Sequence, residues 1–240
     1  MPQNKIHILS TRPLEQGLID KAATKNILLD AVSFIDTEMV GDDSLKATID
    51  ELAQQPLTIV FTSMNAVDAV ANYVGEKKMD WKIFAIGNTT KNLVKEKFGA
   101  THLSGTADSA SALADTIIKE NKSQSLVFFC GDQRRDELPT KLSQHGIGVK
   151  EIVVYKTIAT SHPINKKYDG ILFYSPSAVH SFFSSNKVSH DCVFFSIGKT
   201  TAEAIKKFTD NKIIVANEPS KALLVEQAIQ YFETDPIHHR

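Results

Sequence analysis

The sequence predicts an α/β protein built as two parallel-sheet domains of the Rossmann-like or flavodoxin-like kind. Three observations carry that expectation: strand-sized apolar runs alternate with helical patterns, small or polar turns join them, and the pattern is used twice. The 240 residues are enough for two cores of about 120 residues each. A hydrophobic fraction of 42% and a charged fraction of 23% are those of an ordinary globular chain.

In order, the apolar runs fall at Ile6 to Leu9, Val32 to Ile35, Thr58 to Phe61, Ile83 to Ile86 and Ser125 to Cys130, then at Ile152 to Tyr155, Gly170 to Tyr174, Cys192 to Ile197 and Lys212 to Ala216. Each has the length of a buried strand. Helical patterns follow most of them, over 65–73, 89–98, 109–118, 178–183, 200–208 and 221–232. Strand, turn and helix in that order make the βα unit of a sheet covered on both faces.

The duplication is visible in the turns. FTSMNAVDAVANYV at 61–74 matches FYSPSAVHSFFSSN at 173–186 with a shift of 112, AIGNTTKNLVKEKFG at 85–99 matches SIGKTTAEAIKKFTD at 196–210 with a shift of 111, and SALADTI at 111–117 matches KALLVEQ at 221–227 with a shift of 110. A weaker pair runs at a shift of 120, IHILSTRPLEQGL at 6–18 with LVFFCGDQRRDEL at 126–138. The repeat order is therefore A, B, A′, B′, near 6–40, 58–120, 125–160 and 170–232. Two arrangements fit this order: A with B and A′ with B′, or B with A′ inserted between A and B′. The extended, polar-flanked segments 33–40 and 152–160 lie where a chain would cross between domains and favour the second, with 1–36 and 162–240 as a discontinuous domain and 37–161 as the insert.

With 27 basic and 28 acidic residues the net charge is -1, so no global field attracts nucleic acid or an anionic membrane. An anionic ligand must be held by local groups. MPQNKIHILSTRP has no basic region leading into an apolar stretch, and no run approaches the ~18 apolar residues of a membrane span, so a cytoplasmic protein is expected. Cys130 and Cys192 sit in apolar runs and read as small buried residues. The histidines are scattered without metal-ligand spacing, and His238, His239 and Arg240 form a terminal tail, so no metal site is expected.

The chain resembles the uroporphyrinogen-III synthase family from end to end. The residues carrying the likeness are Thr11-Arg12-Pro13, FTSMNAV at 61–67, AIGNTT at 85–90, GDQRRDEL at 131–138, VYKT at 154–157, YSPSAV at 174–179 and SIGKTT at 196–201. The resemblance implies two small α/β domains joined by a two-stranded connection, with the active site in the cleft between them, and it implies the inserted arrangement. It also implies a reaction without a cofactor. Hydroxymethylbilane loses its terminal hydroxyl, its fourth pyrrole ring is inverted through azafulvene and spiro intermediates, and the macrocycle closes to uroporphyrinogen III.

Such a substrate carries eight carboxylates, which a neutral protein can hold with backbone N–H groups at helix N-termini and with hydroxyls. The duplicated turns offer Thr62, Ser63 and Asn65 at one helix start, Ser175 and Ser177 at its counterpart, and Thr89, Thr90, Thr200 and Thr201 at two more; the same residues also read simply as helix caps. Gly87 and Gly198 would let the backbone approach a ligand. Arg12, Arg134 and Arg135 follow strands and suit bidentate carboxylate contacts, Arg12 ahead of the other two, and GDQRRDEL, with the spacing G-x-x-R-x-x-x-L, adds Gly131. The likeness makes Tyr155 the proton donor to the leaving hydroxyl, because phenols stay protonated at neutral pH and add no fixed charge. A monomer is expected. The competing readings are a cytoplasmic two-domain module binding a small anion, and a nucleotide-dependent transferase, which has neither GxGxxG nor GxxxxGK[ST] in its support.

Overall fold

The structure, a computed structural model, describes residues 5–120 and 123–234. His238, His239 and Arg240 lie outside the described residues. Along the chain the elements are β1 (Ile6–Ser10), α1 (Gln16–Ala23), β2 (Ile27–Ala31), β3 (Ile35–Met39), α2 (Asp43–Ala53), β4 (Leu57–Phe61), α3 (Met64–Val74), β5 (Trp81–Ile86), α4 (Gly87–Phe98), β6 (Leu103–Ala107) and α5 (Ala110–Glu120). There follow β7 (Ser125–Gly131), α6 (Glu137–Gln144), β8 (Gly148–Ala159), β9 (Gly170–Phe173), α7 (Pro176–Ser185), β10 (Val193–Ser196), α8 (Lys199–Lys206), β11 (Ile213–Val215) and α9 (Lys221–Thr234).

Two sheets form, ordered β11-β10-β9-β1-β2 and β3-β8-β7-β4-β5-β6. In the first, the paired strands are parallel throughout, and β4 to β8 are parallel in the second. The chain divides into two compact units, one running through Asp36 and resuming at Ile158, the other spanning Thr37–Thr157. The repeat is now legible as topology. Segment B supplies β4, β5 and β6, and A′ supplies β7 and β8 beside them; B′ supplies β9, β10 and β11, and A supplies β1 and β2. Replacing each strand by its counterpart converts one sheet order into the other, apart from β3, which comes from segment A and extends the second sheet at its edge.

Both sheets are buried on both faces, which is why their strands read as unbroken apolar runs. In the unit of Thr37–Thr157, Ile59, Phe61, Ile83, Val127 and Phe129 face α2, α3 and α4, whereas Val60, Phe84, Leu126, Phe128 and Cys130 face α5 and α6. The other unit repeats the layering. Ile171, Phe173 and Phe194 meet α7 and α8, and Leu172, Val193 and Phe195 meet α1 and α9.

The structure adds helices α1, α2 and α6 to the helical patterns of the sequence, and three strand regions differ from the expected runs. The run expected as one strand over 32–35 separates β2 from β3: Ser33 bonds the Ile35 carbonyl through its hydroxyl at 2.5 Å, and Phe34 turns into the core. Strand β6 had no apolar run to announce it, because LSGTA lies at the edge of its sheet and is only partly covered. The run at 152–155 is the middle of a strand of 12 residues, β8. Beside it, β3 runs antiparallel: Val40 N–H bonds Val154 O, and Thr160 N–H bonds Phe34 O, so positions rise on one strand as they fall on the other. The chain thus passes between its units along two adjacent strands.

Candidate functional site

In an open α/β sheet, ligands meet the carboxyl ends of the strands where the strand order reverses. For the unit of Thr37–Thr157 that switch point lies between β4 and β7, whose ends are Phe61 and Gly131. Ser63 caps α3 directly after β4, its hydroxyl accepting the Asn65 N–H at 3.2 Å. Tyr155 comes from β8, beyond β7, and its hydroxyl donates to the same Ser63 oxygen at 3.1 Å. The phenol therefore spans the switch point. With both acceptor positions of Ser63 engaged, its own proton is left to donate.

Around this pair the same strand edge carries other residues singled out from the sequence. Thr62 is half-buried beside Ser63, Asn65 is exposed on the first turn of α3, and Gly131 ends β7 beneath the Tyr155 ring. Gly87 opens α4 after the neighbouring β5 with φ +68°, a left-handed conformation suited to glycine, and Thr89 is exposed on the following turn. The starts of α3 and α4 leave unbonded backbone N–H groups on this edge, where carboxylates are favoured. Arg134 is engaged elsewhere. Its guanidinium is clamped by Asp136 and Glu151, and its hydrogen bond to Asp136, with Glu151 adding to the effect, raises its pKa further.

The other unit has its switch point between β1 and β9. Arg12 stands just past β1, exposed, and forms no ion pair among the described residues. The loop bearing it is fixed by Thr11, whose N–H and hydroxyl both bond Leu172 O, at 3.0 and 2.7 Å, and by Ser10, which bonds the Arg12 carbonyl at 2.6 Å. Ser175 caps α7 after β9 by accepting the Ala178 N–H at 3.2 Å, with Pro176 at the first helical position and Ser177 half-buried behind it. Gly198 precedes α8 with φ -178°, ordinary extended backbone, unlike Gly87. Thr200 is exposed and Thr201 is buried, 3% accessible, so the two threonines face opposite ways.

Two side chains at these edges went unread in the sequence. Tyr174 is 6% exposed and lies 3.2 Å from the Ser10 hydroxyl, and burial pushes its phenol up to about 12 against the lowering effects of Ser10 and Arg12. Asp132 follows Gly131 and bonds β8 twice, its N–H to Tyr155 O at 3.2 Å and its carboxylate to Thr157 N–H at 2.9 Å. The contacts join residues far apart in sequence; the signals on offer were that Asp132 lies inside GDQRRDEL and that Tyr174 opens YSPSAV.

Among the described residues no group of three or more His, Cys, Asp or Glu could hold a metal ion, and no helix is long and apolar enough to cross a membrane. A 240 Å³ cavity lined by Tyr168, Ile171, Phe182 and Ser189 lies at the amino ends of β9 and β10, the edge opposite Arg12 and Ser175.

Fold and site together define a class, the duplicated doubly wound α/β proteins that present helix starts and hydroxyls at the carboxyl edge of each sheet. A family model described as uroporphyrinogen-III synthase HemD matches residues 29–226. The chain belongs to the uroporphyrinogen-III synthase family, cyclising lyases of tetrapyrrole synthesis. It is 26% identical over 195 residues to the uroporphyrinogen-III synthase of Chlorobaculum parvum, covering 72% of this chain and 79% of that protein. Against the Saccharomyces cerevisiae enzyme of the same name it is 30% identical over 116 residues, 41% of this chain and 42% of that one. Its fold is that of the crystal structure of uroporphyrinogen-III synthetase from Helicobacter pylori 26695, with a TM-score of 0.66 at 16% identity over 94% of this chain and 99% of that one. A mutant uroporphyrinogen III synthase from the extremely thermophilic bacterium Thermus thermophilus matches with a TM-score of 0.57 at 13% identity, over 94% and 97% of the two chains.

Proposed function

We propose that this chain closes hydroxymethylbilane to uroporphyrinogen III, with Tyr155 as proton donor to the departing hydroxyl. The observation that carries the residue assignment is the Tyr155 to Ser63 hydrogen bond across the switch point. Hydroxyl protons rotate freely, so Ser63 can reverse its role and donate to the Tyr155 oxygen while Tyr155 turns its own proton to the substrate. The C–O bond of the terminal hydroxymethyl group then breaks, water leaves with the Tyr155 proton, and a positively charged azafulvenium remains beside the phenolate. The phenolate, held by Ser63, recovers a proton when the closed macrocycle loses one from carbon. Water is the sole by-product.

The helix starts at α3, α4, α7 and α8 receive the substrate carboxylates, with Thr62, Asn65, Thr89, Ser175, Ser177 and Thr200 as hydroxyl or amide partners and the backbone at Gly87 and Gly198 open for close approach. Arg12, unpaired among the described residues, adds a guanidinium. Arg134 and Thr201 have lesser claims, the first being engaged by two carboxylates and the second buried in its helix face. We read the protein as a cytoplasmic monomer.

The test supplies purified protein with freshly generated hydroxymethylbilane and resolves the product isomers. Isomer III supports the reaction, whereas isomer I at the spontaneous rate leaves the small-anion binding module in its place. Tyr155→Phe is expected to lower turnover by about 10²- to 10⁴-fold with the fold intact; wild-type turnover removes the role from Tyr155.

A further inference from the structure

Strand β8 carries a defect beside the phenol. Its pairing with β7 runs Phe129 with Ile152 and Cys130 with Val153, then jumps to Gly131 with Tyr155, leaving Val154 as an extra residue. Alternation along a strand would send Val154 and Tyr155 to opposite faces. Instead Val154 is buried in the core beneath α3 and Tyr155 packs against that same cluster. The bulge has re-aimed the tyrosine.

Re-aiming works only because position 131 has no side chain. A Cβ there would stand 2.5 Å from Tyr155 Cζ, 2.6 Å from Cε2 and 2.8 Å from the hydroxyl oxygen. The backbone at Gly131 is not left-handed, so glycine is required there by the ring above it and not by chain conformation. Asp132 then fixes the strand on either side of Lys156, its N–H bonding Tyr155 O and its carboxylate accepting Thr157 N–H.

We propose that Gly131 and Asp132 are positioning residues for the Tyr155 hydroxyl, Gly131 by giving the ring the space above β7 and Asp132 by clamping the bulged backbone of β8. The proposal deepens the reading of Tyr155 as proton donor and rests on it. Gly131 is thereby moved from ligand contact to support of the phenol. Because Tyr155 is half-buried, an alanine at 131 displaces its ring outward, away from Ser63, while the strand keeps its pairing.

The experiment combines kinetics with 3-fluorotyrosine labelling, the Tyr155 fluorine resonance being assigned by its loss in Tyr155→Phe. Gly131→Ala is expected to shift that resonance and to lower kcat for isomer III by about 10- to 100-fold with KM little changed. In the Tyr155→Phe background the same substitution should change kcat by less than about threefold, because its effect passes through the phenol. Asp132→Ala should lower kcat in the same direction, and Asp132→Asn, which keeps the acceptor for Thr157, should restore it. If Gly131→Ala does not fold, the Asp132 pair carries the test.

An unmoved fluorine resonance with wild-type kcat in Gly131→Ala or Asp132→Ala overturns the proposal, as does an equal loss of kcat with and without the Tyr155 hydroxyl. Wild-type turnover in Tyr155→Phe overturns the donor role alone. Positioning is then decided by the resonance, a shift in Gly131→Ala supporting it and no shift refuting it.

Discussion

The Tyr155 hydroxyl donates to Ser63 Oγ at 3.1 Å, linking two residues 92 positions apart across the end of β7. The same oxygen accepts the Asn65 N–H, so one serine both caps α3 and anchors the phenol. Ser63→Ala removes both contacts. A lost N-cap costs about 0.5–2 kcal/mol, measurable as a lower urea midpoint, and the freed phenol should reduce kcat by about tenfold or more. Ser63→Thr keeps the hydroxyl and should recover the midpoint and most of the turnover. Full kcat in the alanine variant would show that the hydrogen bond does not prepare the phenol.

The two arginines on these strand edges predict opposite signatures. Arg12 is exposed and free of ion pairs among the described residues, so Arg12→Ala should raise KM by about tenfold, the scale of one charge-assisted hydrogen bond, and leave the melting temperature in place. Arg134 is held by Asp136 and Glu151. Its removal should lower the melting temperature slightly, by about 1 kcal/mol or less of stability, because these pairs are open to solvent, and should change KM little. Reversed results would exchange their roles.

Much of the fold was legible in the sequence because both sheets are covered on both faces, and a strand buried on both sides writes itself as an apolar run. Edge strand β6 did not, and the turn at 32–34 was hidden because Val32 and Phe34 are apolar as a strand would be. At the site the cap residues were legible: Ser63 and Ser175 carry the turn chemistry that a helix start needs. Thr201 could have been placed inward by period, since it shares a helix face with Ala204 and Ile205, as Thr90 does with Val94. The bulge at Val154, the ring over Gly131 and the ion pair from Arg134 to Glu151 are pairings across the sheet, and no local pattern encodes them.

The I-G-x-T-T turns look alike in sequence and differ in backbone. Gly87 has φ +68° whereas Gly198 has φ -178°, and a Cβ at either would meet nothing within 4 Å. Space being open at both, only conformation separates them. Gly87→Ala should cost about 1–2 kcal/mol through left-handed strain, and Gly198→Ala should be neutral or stabilise by up to about 1 kcal/mol by restricting the unfolded chain. Chemical denaturation of the two variants decides this. Equal losses would mean that the turns share one geometry.

Alkaline stability should report on Tyr174. Its phenol moves from an ordinary 10.0 to about 12, chiefly because burial penalises the phenolate. A group that binds its proton more tightly when folded stabilises fully below its unfolded pKa, and that contribution is lost as pH climbs from 10.0 through about 12. Cys130, raised to about 11, and Cys192, raised to about 12, push in the same direction from an ordinary 9.0, and burial together with Asp30 raises the Tyr168 phenol as well, so wild-type protein loses stability to all four groups. Tyr174→Phe removes one of them and keeps the ring in its core position beside Leu172 and Phe195. The difference in unfolding free energy between wild type and variant should therefore be constant up to about pH 9 and then shift in favour of the variant, with a slope of at most ~1.4 kcal/mol per pH unit. Urea titrations from pH 8 to about 11 measure it. Parallel curves across that range would mean that the Tyr174 phenol ionises as readily in the folded chain as in the unfolded one, which its 6% exposure argues against.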